Sequence, residues 1–108
     1  MELIEIQKAL VEVLRETDQV FRDEAEAKVE FVRLERKQKS YFAMMKSKFE
    51  GADNARERQA FCDKEWTEFE VELIEAECGY IMALSNKDAL EAKREVLRSL
   101  NKSPNISY

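Results

Sequence analysis

The sequence predicts an all-α protein: a long antiparallel helical hairpin, coiled-coil-like, that dimerises into a four-helix bundle. Two glycines and one proline in 108 residues leave few positions for turns, so the elements must be few and long. Apolar residues make up 44% of the chain and recur every seven residues in both halves. We therefore expect a single domain over residues 1–102 and a flexible tail at 103–108.

The first predicted helix runs from about residue 2 to residue 49. Two heptad series alternate at spacings of three and four, as in the seam of a packed helix. Segment 22–28 offers only alanines and a lysine stem to this seam, so a bend there stays open. One series is Ile6, Val13, Val20, Ala27, Leu34 and Tyr41; the other is Leu3, Leu10, Thr17, Glu24, Phe31, Gln38 and Met45; Leu14, Phe21, Phe42 and Phe49 flank them.

A turn at 51–54 separates the two predicted helices. Gly51 suits the left-handed residue that closes a helix, and Asn54 with Glu57 matches a capping box. The second helix is predicted from about 55 to 101, with a kink at 85–88 as an open alternative. Its seam consists of Ala55, Cys62, Phe69, Ala76, Ala83, Leu90 and Leu97, alternating with Trp66, Leu73 and Tyr80.

Charge placement also favours a hairpin. The net charge is -5, but residues 31–50 carry six bases against two acids, and residues 65–86 carry six glutamates and no base. With the turn centred between residues 52 and 53, these runs lie at the same height on opposite arms. The expected pairing sets Arg33, Arg36, Lys37 and Lys39 opposite Glu72, Glu70, Glu68 and Glu65. Exposed pairs of this kind specify register more than they stabilise the fold.

A two-helix hairpin covers only one side of each apolar seam, so the sequence predicts a partner. The simplest partner is a second copy, giving a homodimer with two-fold symmetry; an unidentified protein partner is also expected. The residues predicted to form this interface are Leu10, Val13, Val20, Phe21, Phe31, Leu34, Phe42, Phe69, Leu73 and Tyr80.

The residue inventory favours a protein that is not an enzyme. There is no histidine, which removes the usual general base of nucleophilic catalysis and the commonest metal ligand. Phosphate-cradling glycine loops and Cys-x-x-Cys pairs are also absent from the sequence. We expect no catalytic residues, no metal and no cofactor. Cys62 and Cys78 lie too far apart along one helix to form a disulfide, and we expect them to be buried or half-buried thiols.

Two alternative functions remain at this point. A nucleic-acid accessory protein would use a basic strip along the phosphate backbone, with Tyr41 or Phe42 stacking on bases. An acidic inhibitor would instead present a row of glutamates that imitates phosphates. The strip consists of Arg33, Arg36, Lys37, Lys39, Lys46 and Lys48, and the acidic row of Glu65, Glu68, Glu72 and Glu75.

No run of uncharged apolar residues is long enough to cross a bilayer, and the acidic, amphipathic N-terminal segment differs from a signal peptide. We expect a cytoplasmic protein that does not act at a membrane. The segments GADNARERQAF, FEVELIEAECGYIMAL and EAKREVLRSLNKS resemble the small helical-hairpin proteins encoded in early and recombination gene regions of tailed bacteriophages. The resemblance covers roughly residues 25 to 103. It implies a phage protein of the host cytoplasm that assists DNA recombination or binds a host factor, and it assigns no functional residues.

Overall fold

The computed structural model describes residues 2–102, which form three helices: α1 (Leu3–Lys46), α2 (Asp53–Phe61) and α3 (Lys64–Lys102). The Phe31 ring stacks on Tyr80 at 6.0 Å between centroids, and the Tyr41 ring stacks on Phe69 at 4.7 Å. Advancing along α1 therefore means moving back along α3, so the two helices are antiparallel. The predicted all-α hairpin class is confirmed; the predicted tail 103–108 lies outside the described residues.

α1 continues without a break through 22–28, and α3 continues through 85–88. Alanine, glutamate and lysine, which dominate 22–28, are good helix formers. Ala83 and Leu90, seven residues apart in the heptad series, are buried on either side of 85–88.

The reversal begins earlier than the sequence predicts. α1 ends at Lys46, and the N–H groups of Lys48 and Phe49 donate to carbonyls three residues back, which tightens the chain at the helix end. Gly51 follows with a φ of 115°, a left-handed conformation that suits glycine. Gly51 therefore supplies the turn after the tightened segment and does not directly close α1.

The predicted capping box at Asn54 is wrong. α2 starts at Asp53, two residues before the predicted start at 55, and its N-cap residue is Ala52, which makes no side-chain hydrogen bond. The carboxylate of Asp53 contacts Lys46 Nζ at 2.6 Å and Arg56 Nη2 at 3.3 Å. This first-turn carboxylate, with its favourable position near the helix N-terminus, replaces the predicted cap.

The predicted uninterrupted helix over 55–101 is also wrong, because the chain breaks between α2 and α3 at Cys62 and Asp63. The Asp63 carboxylate accepts the backbone N–H of Glu65 at 2.8 Å, as an N-cap residue does. The break shifts the seam, so Ala60 is buried while Cys62 is exposed.

The described residues pack as two compact units. Unit 1 contains residues up to Glu26 and from Ile81 onward, and unit 2 contains Ala27–Tyr80. The buried side chains of unit 1 are Ile6, Val13, Leu90 and Leu97, against which Ala9, Leu10 and Val20 pack. Those of unit 2 are Leu34, Met45, Ala60, Trp66 and Phe69, surrounded by Tyr41, Phe42, Phe49, Leu73 and Ala76.

Candidate interaction surfaces

The ten residues predicted to face a partner mostly face the other arm of the same chain. Val13, Leu34 and Phe69 are buried in the two cores. Phe21 alone of the ten is exposed, and the remaining six, Leu10, Val20, Phe31, Phe42, Leu73 and Tyr80, are half-buried. Much of the heptad seam is therefore used by the contact between α1 and α3 within one chain, and the predicted interface stays a prediction. Besides Phe21, the exposed large apolar side chains of the described residues lie outside the ten predicted positions.

Unit 1 exposes a second row of apolar side chains on α1, which we call the α1 stripe. Its members recur at spacings of seven and three, so they lie along one side of the helix, next to the buried seam. The sequence reasoning identified Leu14 and Phe21 as flanking residues but missed Ile4 and Val11. Ile4 and Val11 could have been found from the sequence, because they share the spacing of seven and three residues with Leu14 and Phe21. The exposed fractions are 58% for Ile4, 46% for Val11, 61% for Leu14 and 38% for Phe21.

A groove of about 290 Å³ borders the α1 stripe in unit 1. Leu10 and Leu14 form one wall, and Arg94, Arg98 and Asn101 form the other. Arg94 Nε and the Asn101 side-chain oxygen are buried without a hydrogen-bond partner among residues 2–102. The groove thus combines apolar surface with two guanidinium groups.

The predicted basic strip is divided in unit 2 between paired and unpaired bases. Lys46 pairs with Asp53, Lys48 with Glu65 at 2.9 Å, and Arg33 with Glu30 through two hydrogen bonds. The expected cross-arm pairing of Lys39 with Glu65 is wrong, since Lys48 takes that glutamate. The longer reversal, which includes α2, shifts the register of the two arms. Within 2–102, Arg36, Lys37 and Lys39 form no ion pair.

The two rings expected to stack on bases pack against other aromatic rings of the same chain. Tyr41 and Phe42 are half-buried and belong to an aromatic cluster in which Phe42 contacts Phe61 at 4.7 Å and Trp66 at 4.8 Å between centroids. Lys37 lies over the Tyr41 ring at 5.4 Å. These rings hold α2 and α3 to the end of α1.

The predicted acidic row lies along α3 in unit 2 and is exposed. Glu65 is bound to Lys48, and Glu68 lies 3.8 Å from Lys64. Glu72 is close enough to add to the raised pKa of the Arg33 guanidinium, which is due mainly to the hydrogen bond with Glu30. Glu75 is exposed beside Ile74, which is itself exposed.

Two charged groups of the reversal have pKa values shifted by their neighbours. The hydrogen bond and charge of Lys46 hold the pKa of Asp53 below its ordinary value, with a smaller effect from Arg56. The hydrogen bond with Glu65 raises the pKa of the Lys48 ammonium. Asp53, Lys48 and Glu65 are exposed and Lys46 is half-buried, so both pairs specify geometry more than they add stability.

Three other features of the described residues bear on function. No cluster of three or more acidic or cysteine side chains is arranged to hold a metal ion within 2–102. None of the helices α1 to α3 has a stretch long and apolar enough to cross a membrane. Cys62 and Cys78 are free and exposed, so the expectation of buried or half-buried thiols is wrong.

The protein is thus an all-α helical hairpin whose surface has exposed apolar and charged strips. Comparison of the chain with family models, with curated proteins and with solved structures finds no match in any of the three.

Proposed function

We propose that this chain is a non-enzymatic helical interaction protein that pairs with a second copy of itself through the α1 stripe. Four large apolar side chains on one side of one helix form a continuous exposed apolar surface, and such surfaces are typical of protein–protein contacts. Each Å² of that surface removed from water contributes ~25 cal/mol to association.

The observation that carries the proposal is that the stripe is complementary to itself in an antiparallel pair. In the proposed register, Val11 of one copy lies opposite Leu14 of the other. The next facing pairs lie four residues, and then a further three residues, away from this central pair. The first is Gln7 opposite Asp18, and the second is Ile4 opposite Phe21. Apolar residues thus face apolar residues, and the two polar interruptions face each other.

The polar pair supports this register over shifted ones. The Gln7 amide can donate a hydrogen bond to the Asp18 carboxylate, and both side chains are exposed in the single chain. A polar group in an otherwise apolar helical seam costs stability in every register that leaves it unpaired. Two-fold symmetry makes this contact twice in each dimer.

The paired surface also has adequate length. The 18 residues from Ile4 to Phe21 extend ~27 Å along the helix axis. The groove with Arg94 and Arg98 borders this surface and can add to it. Two copies, each keeping its own contact between α1 and α3, would form the four-helix arrangement predicted from the sequence.

Sedimentation equilibrium at micromolar concentration tests the proposal. The wild type should sediment at twice the monomer mass of 12.7 kDa. Leu14→Glu should sediment as a monomer because it buries a carboxylate near the two-fold axis, with unchanged helicity by circular dichroism. The matched control is Val96→Glu, a similarly exposed position on α3 outside the stripe, which should remain a dimer. A monomeric wild type, or a dimer that tolerates Leu14→Glu, contradicts the proposal.

The alternatives from the sequence receive less support. Half of the predicted nucleic-acid contacts are engaged in ion pairs, and the rings expected to stack on bases are packed in the aromatic cluster. One residue of the acidic row, Glu65, is already paired with Lys48. The bacteriophage origin, the cytoplasmic location and a role beside DNA recombination stay predictions from resemblance and composition.

A further inference from the structure

Unit 2 has an exposed surface on α1 that the proposed self-association does not use. Lys28, Val29, Val32, Arg33 and Arg36 line an open groove of about 540 Å³, and we call this set, with Lys39, the valine–arginine strip. Val29 is 68% exposed, more than any other large apolar side chain of the described residues. Apart from the pair of Arg33 with Glu30, the basic side chains of the strip form no ion pair within 2–102.

The order of these residues follows helical periodicity. Val29, Val32, Arg36 and Lys39 follow one another at spacings of three, four and three residues, so they lie along one face. Segment 28–39 contains five bases and only two acids. One of those acids, Glu30, is already occupied by Arg33 through contacts of 2.8 and 3.2 Å.

We propose that the valine–arginine strip binds an acidic amphipathic helix of another protein. A helix that carries apolar residues at three- and four-residue spacing can set them against Val29 and Val32. Glutamates or aspartates that flank those residues would meet Arg36, Lys39 and Lys28. Arg36 and Lys39 have no acidic partner among the described residues, so a carboxylate can bind them without displacing another one.

The two valines distinguish this partner from a polyanion. A phosphate backbone needs basic side chains and gains nothing from apolar valine side chains, whereas a helix in a groove depends on such apolar anchors. A second copy of the chain is another occupant, because α3 of unit 2 exposes Val71 and Ile74 among glutamates. A contact between two different faces repeats head to tail, however, and it would produce open-ended assemblies.

A defined probe tests the inference. The probe is a fluorescein-labelled synthetic helical peptide with leucines at alternating three- and four-residue spacing and glutamates on both flanks. Control probes have the same leucines flanked by lysines, a scrambled order of the glutamate peptide, and a single-stranded oligothymidine. Fluorescence anisotropy is measured against the full chain at low and moderate salt. We expect binding of the glutamate peptide alone.

Variants of the chain make the test specific. The double variant Arg36→Glu, Lys39→Glu should weaken binding at least tenfold, and Val29→Ser should weaken it several-fold at unchanged charge. The matched charge reversal Lys93→Glu, Lys102→Glu, on exposed positions of α3 in unit 1, should leave the affinity unchanged. Leu14→Glu should also leave it unchanged, so that loss of the dimer and loss of peptide binding are separate results.

The binding measurements overturn the inference if they give any one of four results. They are absence of binding to the glutamate peptide, equal binding of the scrambled peptide, oligothymidine binding that Val29→Ser does not affect, and binding that survives the Arg36→Glu, Lys39→Glu variant. Open-ended assembly of the wild type that the same double variant abolishes would assign the strip to a second copy and would also overturn it.

Discussion

Lys48 Nζ lies 2.9 Å from Glu65 Oε2, seventeen residues further along the chain. The contact joins the residues just after α1 to the first turn of α3, across the reversal that contains α2. The same hydrogen bond raises the pKa of Lys48. Lys48→Glu should lower the melting temperature slightly by placing two carboxylates together. The swap Lys48→Glu, Glu65→Lys should restore it in calorimetry, and a swap that restores nothing would mean that the pair does not set the arm register.

Charge changes in the α1 stripe test the proposed register. Gln7→Glu should weaken the dimer at least tenfold, because the introduced carboxylate would face Asp18 of the other copy. Adding Asp18→Lys should recover the affinity, since the new pair is oppositely charged. Analytical ultracentrifugation over a concentration series measures both constants. If Asp18→Lys fails to rescue Gln7→Glu, the helices pair in another register.

The core of unit 2 should respond strongly to truncation. Leu34 is 1% exposed, so Leu34→Ala should destabilise the chain by ~2 to 5 kcal/mol through lost burial and a residual cavity. The exposed control Val29→Ala should change stability by less than ~0.5 kcal/mol. Urea denaturation of both variants in the Leu14→Glu background keeps self-association out of the comparison. Similar values for the two variants would contradict the burial pattern.

Because α3 begins directly after Asp63, we expect Asp63, and not Asn54, to stabilise the chain as a helix N-cap. Asp63→Ala should cost ~1 kcal/mol because the backbone N–H of Glu65 loses its acceptor. Asn54→Ala should be neutral within ~0.5 kcal/mol, since Asn54 does not cap α2. Asp63→Asn serves as the control that keeps the hydrogen bond. A larger effect at Asn54 than at Asp63 would restore the cap predicted from the sequence.

The reversal should also respond to acid. The pKa of Asp53 is lower in the folded chain than its ordinary value, chiefly because of Lys46. The stabilisation is therefore complete above the ordinary pKa and is lost as the pH falls through the lowered one. NMR titration of the Asp53 carboxyl carbon should show this lowered midpoint. Lys46→Met should raise the midpoint more than Arg56→Met, and the opposite order would contradict the assignment.

Periodicity alone predicts the helical class and most of the buried seam. The heptad residues Ile6, Val13 and Leu34 are buried because a seven-residue repeat necessarily turns them to the same side of α1. Periodicity does not predict the break at Asp63, because Phe69 follows Cys62 by seven residues and the repeat continues through that position in the sequence. Only the capping ability of Asp63 marks the break, and a single aspartate on a charged helix is a weak signal.

The candidate surfaces were harder to predict, for a different reason. Apolar spacing shows which residues share a face, but not how many faces the chain covers by itself. Phe31 and Tyr80 were assigned to a partner, yet they stack on each other. Ile4 and Val11 were passed over, yet they are exposed. Which apolar row remains open depends on how α1 packs against α3 within each unit, and spacing along the sequence does not specify that packing.

The positive φ of Gly51 and the exposed residues on either side of it make the reversal a natural point of entry for protein engineering. Residues Glu50 to Ala52 belong to neither core, and exposed turns of small and polar residues accept insertions best. A fluorescent reporter or an affinity tag placed there leaves the α1 stripe and the valine–arginine strip unobstructed. The two faces can then be assayed separately on one labelled molecule.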